Sequence, residues 1–117
     1  MSIAKSSILI LLAAAVLAGC AGKPSLYHWG SYEDQIYAMY SDTGKVPIEE
    51  QLQHLEMDYQ EARAADEPVP PGFHAHMGYL YFQTGKTDQA LQSFETEKTL
   101  FPESTVYMDR LIARIKH

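Results

Sequence analysis

Apolar residues recur at helical spacing through most of the chain, and the clearest stripe follows Pro47. It consists of residues spaced four, three, four and three positions apart: Ile48, Leu52, Leu55, Tyr59 and Ala62. Because positions three or four apart share one helix face, this stripe predicts an amphipathic helix whose first turn contains Pro47. The opposite face is expected to be solvated and carries Glu49, Glu50, Gln53, Glu56, Asp58 and Glu61.

Three more helices are predicted after a proline-rich loop at residues 66–72. We expect Gly85 to end the first of them, Thr87 to cap the second, Pro102 to end the second, and Ser104 to start the third. Their inward side chains are expected to be Phe73, Met77, Leu80 and Tyr81, then Ala90, Leu91, Phe94 and Phe101, and finally Met108, Leu111, Ile112 and Ile115.

An earlier helix is predicted before Gly44, with Ser31 as its cap and Asp34 completing a weak capping box. Three apolar residues of this helix share a face: Ile36, Tyr37 and Tyr40. No alternating polar and apolar run is long enough to predict a sheet. The sequence therefore predicts an all-α fold of antiparallel helix hairpins.

A short apolar run stands near the amino terminus, where Lys5 precedes residues 8–17. A membrane-spanning helix needs about 20 apolar residues, so this run has the layout of a secretory signal instead. It ends in Leu17-Ala18-Gly19-Cys20, with the only cysteine of the chain. These four residues resemble the lipobox of bacterial lipoproteins, which implies lipidation of Cys20 and cleavage before it. We expect a signal peptide at 1–19, a lipidated tether at 20–28 and a helical domain at 29–117.

The resemblance to the lipobox also implies a location. Ala21, in place of aspartate, follows the sorting rule for the outer membrane of Gram-negative bacteria, so the domain is expected to be lipid-anchored there and to face the periplasm. The formal charge of the chain is −6, and loss of Lys5 makes the remainder more acidic. Phosphate backbones repel such a surface, so we expect no nucleic-acid partner.

Residues 71–104 have the length of a tetratricopeptide repeat and resemble one. The matching positions are Gly78, Tyr81, Ala90, Phe94 and Pro102. Glu97 departs from that motif, which predicts that this end splays apart or faces solvent. Residues 32–65 resemble a degenerate copy, so the resemblance implies about two repeats and a carboxy-terminal helix. That last helix either caps the array or leaves a docking surface.

Aromatic residues are concentrated ahead of and within the first helix of the domain, at Tyr27, Trp29, Tyr32, Tyr37 and Tyr40. Two interpretations stay open: the cluster closes the core, or it binds a partner, since Tyr and Trp dominate interface hot spots. The segment Tyr27-His28-Trp29-Gly30-Ser31-Tyr32 resembles a Y-x-W-G-x-Y signature of small bacterial outer-membrane lipoproteins. Members are typically encoded beside a lipoprotein similar to the curli secretion channel, which implies an accessory role in an envelope assembly.

Residues with catalytic or ligand-binding chemistry are sparse. His74 and His76 lie two apart and point in different directions on a helix, while Glu50 and His54 lack a third ligand, so we interpret them as surface residues. The two Thr-Gly-Lys segments lack the glycine spacing of a nucleotide site and predict turns. We expect no metal, no cofactor, no nucleotide and no catalytic residues.

Three functional hypotheses follow from these observations. The first is a membrane-anchored, non-enzymatic module that binds an envelope protein through the aromatic segment or through a groove between its hairpins. The second is a periplasmic binding protein for a lipid or a cell-wall glycan, held in a cleft lined by Tyr79, Tyr81 and Phe82. The third and weakest is a small hydrolase.

Overall fold

Six α-helices and one short 3-10 turn make up the regular structure of the part of the chain that the computed structural model describes, residues 2–19, 22, 24–41 and 45–117. The helices are α1 (Ser2–Ala18), α2 (Tyr32–Ser41), α3 (Ile48–Ala64), α4 (Phe73–Gln83), α5 (Thr87–Leu100) and α6 (Thr105–Lys116). The 3-10 turn, Pro102–Ser104, connects α5 to α6. The all-α prediction is confirmed.

Helix α1 differs from the other helices in the exposure of its side chains. The side chains described in it, at residues 2–15, are all exposed. Among the residues that the structure describes, no helix combines the length and the apolar character that crossing a bilayer requires. Cys20, the predicted lipidation site, lies outside the described residues.

Helix α3 buries the stripe that the sequence predicts. Leu52, Leu55 and Ala62 are buried, and Ile48 and Tyr59 pack against them at partial exposure. With Val69, Phe73, Met77 and Leu80 they form the first core cluster, between α3 and α4. Pro47 lies one residue before the helix, at the cap position.

Helices α4 and α5 approach closely because Gly78 has no side chain. A Cβ atom at Gly78 would lie 2.6 Å from the Phe94 ring, so any larger residue would push the two helices apart. Ala90 and Phe94 continue a second core cluster with Met108 and Ile112 of α6. Tyr81 packs against both clusters and joins them.

Helix α6 is held to α5 by charge as well as by this cluster. The Lys98 ammonium lies 2.6 Å from Asp109 on α6 and 3.2 Å from Glu95 on its own helix. The carboxylate of Asp109, with that of Glu95, raises the pKa of Lys98. The cap predicted at Thr87 was wrong, because α5 has no side-chain cap and Thr87 is its first residue. Ser104 directly precedes α6, as predicted, and its hydroxyl donates to the Phe101 carbonyl.

Two carboxylates that were predicted to face solvent are buried. Glu97 is only 2% exposed, and Asp58, expected on the solvated face of α3, is 8% exposed. Glu97 of α5 accepts hydrogen bonds from the backbone N–H groups of Gly72 (2.7 Å) and Ala75 (3.3 Å), at the start of α4. The prediction that this end splays or faces solvent was wrong, because the first-turn amides of α4 supply the partners that a buried carboxylate requires.

Asp58 of α3 likewise accepts hydrogen bonds at the start of α2. Its Oδ2 atom accepts hydrogen bonds from the Ser31 backbone N–H (2.9 Å) and from the Ser31 hydroxyl (2.6 Å). The hydroxyl therefore donates to α3, and the predicted local cap made by Ser31 with Asp34 is replaced by a carboxylate from the next helix. In both hairpins a carboxylate on the second helix holds the beginning of the first helix, where negative charge also complements the helix dipole.

Replacing Glu97 with alanine should remove the acceptor for two part-buried amides at the start of α4. Each charge-assisted hydrogen bond contributes about 1.5–3 kcal/mol, and the orphaned amides add a desolvation cost, so we expect a loss of roughly 3 kcal/mol in the free energy of unfolding. Chemical denaturation measures this loss. The control is Glu95→Ala on the same helix, whose exposed ion pair should contribute no more than about 1 kcal/mol. Equal losses in the two variants would contradict the capping role.

Candidate functional site

The signature segment at residues 27–32 runs as a strap over the loop that joins α3 to α4. The backbone N–H of His28 donates to the Pro68 carbonyl at 2.7 Å, and the His28 Nδ1 atom lies 2.9 Å from a carboxylate oxygen of Glu67. The Tyr27 ring packs edge-on against Phe101, at 6.4 Å between centroids, and also against Trp29. The strap therefore ties the start of the domain to the end of α5.

Gly30 is the point at which the strap turns into α2. Its φ angle is +48°, in the left-handed region that favours glycine, and a Cβ atom there would lie 2.6 Å from the Asp58 carboxyl group. Both the backbone conformation and the available space require glycine, because the capping carboxylate fills the position of a side chain. The glycine of the signature therefore serves the cap on α2.

Tyr32 is partly buried and packs against the first core cluster. Its ring centroid lies 5.6 Å from that of Phe73, 6.3 Å from that of His76 and 6.2 Å from that of Trp29. Burial, and next the nearby charge of Glu97, raise the pKa of its phenol. Tyr32 thus brings the strap, α4 and the buried carboxylate of α5 together at one place.

Tyr37 and Tyr40 have a different setting on the outer side of α2. Their side chains are 67% and 76% exposed, and they line a shallow apolar groove of about 370 Å³ with Ile36 and Tyr32. The residue of α2 that is buried is Gln35. Of the five aromatic residues proposed to bind a partner, the structure therefore places Tyr27, Trp29 and Tyr32 in one cluster on the body and leaves two projecting outward.

A second concave surface lies between α3 and α5, with α4 as its floor. This groove has a volume of about 410 Å³ and is lined by Glu56, Tyr59, Gln60, Arg63, His74, Met77, Tyr81, Gln89, Gln92, Ser93 and Thr96. The Tyr81 hydroxyl donates to Glu56 at 2.7 Å, and burial together with that carboxylate raises the pKa of the phenol. The sequence predicts a groove between the hairpins but not these lining residues, because they come from three helices and share no motif.

The cleft predicted from Tyr79, Tyr81 and Phe82 does not form as one site. Tyr81 lines the groove between α3 and α5, whereas Tyr79 lines a separate groove beside the start of α3. Consecutive positions on a helix point about 100° apart, so residues 79 and 81 face in nearly opposite directions. An aromatic cleft built from all three is therefore excluded by the helix geometry.

The two central histidines are buried, so the prediction that they lie on the surface was wrong. His74 packs between Tyr59 and Phe73, and His76 packs against Tyr32, with exposed fractions of 5% and 7%. Burial lowers the pKa of both imidazoles, to about 4 for His76. Within the described residues, no three His, Cys, Asp or Glu side chains gather as metal ligands would. His54 is exposed as predicted and lies 3.8 Å from Glu50.

Replacing Gly30 with alanine should destabilise the fold more than the same change at Gly85. Both glycines have a positive φ, but nothing lies within 4 Å of a Cβ atom at Gly85. Gly85→Ala should therefore cost about 1 kcal/mol of backbone strain. Gly30→Ala should cost at least about 2 kcal/mol more, because it also displaces the Asp58 cap. Equal losses in thermal unfolding would show that the carboxylate contact contributes nothing.

Acid should weaken the fold through His76. Its pKa is about 4 in the folded state, against 6.5 for a free imidazole, so the unfolded chain binds a proton that the folded chain does not. The contribution of neutral His76 to the free energy of unfolding is fully present above pH 6.5. It decreases by up to about 3 kcal/mol as the pH decreases to 4. Chemical denaturation at several pH values measures this loss, and the free energy of unfolding should depend less on pH in His76→Gln. An unchanged pH dependence in that variant, equal to the one in the control His54→Gln, would refute this assignment.

A comparison with known protein families matches the part of the chain that contains the strap and most of the helices. A family model described as Domain of unknown function (DUF4810) matches residues 26–111, from the strap into α6. No curated protein and no solved structure matches the chain. The match covers more than half of the chain and includes the strap, both buried carboxylates and the projecting tyrosines. The chain therefore belongs to the DUF4810 family, whose function is unknown.

Proposed function

We propose that the chain is a non-enzymatic, lipid-anchored accessory protein of the bacterial cell envelope, whose helical domain docks onto another envelope protein. Cleavage before Cys20 and lipidation of its thiol would anchor the domain in the outer membrane on the periplasmic side. Several acyl chains hold a protein on a membrane far more firmly than one. The lipobox-like segment Leu17–Cys20, with Ala21 after it, supports this placement.

The observation that carries the docking proposal is the outer surface of α2. Tyr37 and Tyr40 are exposed on the first helix after the tether, so a partner held on the same membrane could reach them. Tyrosine contributes a large contact area at a low entropic cost. Anchoring both proteins on one membrane also raises their effective concentration, so each contact can be weak. A lipoprotein similar to the curli secretion channel is one such partner, by resemblance to the family described above.

The packing of α4 and α5 supports a tetratricopeptide-like domain. The small residues Gly78 and Ala90 lie at the contact between these helices, with Phe94 against Gly78, which is the steric reason for those residues in that repeat. Such repeats build protein-binding surfaces, not catalytic centres. The fold and the exposed tyrosines thus favour the same function.

A periplasmic carrier for a glycan is the second candidate, favoured by the groove between α3 and α5. Amide groups of Gln60, Gln89 and Gln92 line this groove beside the rings of Tyr59 and Tyr81, a combination that suits hydroxyl groups and sugar faces. A carrier would retain its ligand through purification, and mass spectra of the native protein would contain it. A docking protein would instead retain a protein.

Labelled palmitate and affinity purification together test the proposed function. The native chain should incorporate the label and fractionate with membranes, and Cys20→Ala should do neither. The native chain should also copurify with a second envelope protein, which the double variant Tyr37→Ala, Tyr40→Ala should lose. Tyr79→Ala is the control, since this exposed tyrosine lines a different groove from the one that Tyr37 and Tyr40 line. Label in the Cys20→Ala protein, or partner binding equal in all variants, would contradict the proposal.

A further inference from the structure

The first and last helices of the domain each leave one face uncovered. On α2 the outward positions are Glu33, Asp34, Tyr37, Tyr40 and Ser41, and all five are exposed. We call these five residues the α2 face. It combines two aromatic rings with two carboxylates and contains no basic residue.

The uncovered face of α6 has a similar make-up and the opposite charge. We call its outward residues, Val106, Tyr107, Arg110, Ala113 and Arg114, the α6 face. Val106 and Tyr107 are 67% and 61% exposed, and the inward side of the helix carries Met108 and Ile112. The sole acidic residue of α6, Asp109, is held by Lys98, so the two arginines of the face are not neutralised on their own helix.

The charges of the two faces are complementary. Two carboxylates flank the rings of the α2 face, and two guanidinium groups flank the apolar residues of the α6 face. Two copies of the same face would bring like charges together, which costs free energy, whereas one copy of each face would pair every charge with its opposite. The helices also have comparable lengths, about 15 Å for α2 and about 18 Å for α6.

We propose that the α6 face of one copy of the chain binds the α2 face of a second copy, head to tail. This pairing is heterologous, so each bound copy still presents one free α2 face and one free α6 face, and the assembly can extend into a short chain. This pairing rests on the proposed function, because it uses the exposed tyrosines as a docking surface. It names a second copy of the chain as the occupant of that surface.

A contact between two single helices is small in comparison with a stable dimer interface, which buries about 800 Å² per partner. We therefore expect weak self-association in solution, with a dissociation constant in the micromolar range or above. Opposite charges on exposed faces are screened by salt, so the association should weaken as the ionic strength increases. On a membrane, a shared anchor would raise the effective concentration and compensate for the small area.

Charge reversal on each face tests the proposal with the full-length chain in a mild non-ionic detergent, followed by sedimentation velocity. One variant carries Glu33→Lys and Asp34→Lys, and the other carries Arg110→Glu and Arg114→Glu. Each variant alone should associate at least about tenfold more weakly than the native chain, because both of its faces then have the same sign. An equimolar mixture of the two variants should associate again.

The pairing in the mixture uses the unmodified face of each variant, so it does not require the altered helices to keep their native stability. The control Glu49→Lys with Asp88→Lys makes the same change of net charge as the α2-face variant, on exposed positions of α3 and α5, and should associate like the native chain. A native chain that stays monomeric at every concentration, variants that associate like the native chain, or a mixture that stays monomeric would each overturn the proposal. None of these outcomes bears on palmitate incorporation or on binding of another envelope protein.

Discussion

The fold depends on two buried carboxylates, each of which extends from the second helix of a hairpin to the start of the first. Asp58 holds Ser31 ahead of α2, and Glu97 holds Gly72 and Ala75 at the start of α4. A buried charge is costly unless hydrogen bonds satisfy it, and free helix-terminal amides are costly for the same reason. Each carboxylate accepts hydrogen bonds from backbone N–H groups at a helix start, so that the buried charge and the free amides satisfy each other. These bonds fix where one helix begins relative to its neighbour.

This arrangement decides which aromatic residues remain available for binding. Because Asp58 occupies the space beside Gly30, the strap turns there and directs Tyr32 into the core against Phe73. With Gln35 buried on the inner side, helical spacing places Tyr37 and Tyr40 on the outer side of α2. The segment at residues 27–32 therefore acts first in the packing of the fold. The exposure of Tyr37 and Tyr40 follows from the position in which it holds α2.

The sequence predicted the helices and most of the core, but not the carboxylate caps or the residues that line the groove between α3 and α5. The stripe of α3, the close packing at Gly78 and the inward residues of α6 followed from spacing and residue size, which are local properties. Asp58, Glu97 and the two central histidines were assigned to the surface, because polarity favours exposure until partners from other helices are known. Those partners lie 22 to 27 positions away for the carboxylates, beyond the range of a pattern in one helix. A groove between the hairpins was predicted, but the residues that line it were not, for the same reason.

Hydrogen exchange at helix starts measures the carboxylate caps most directly. Amides in the first turn of a helix usually exchange quickly because they lack intrahelical partners. We expect slow exchange for Ser31, Gly72 and Ala75, close to that of the core amides, and fast exchange for Asp88 at the start of α5, which has no side-chain cap. Exchange at Ser31, Gly72 and Ala75 as fast as at Asp88 would contradict the capping role of Asp58 and Glu97.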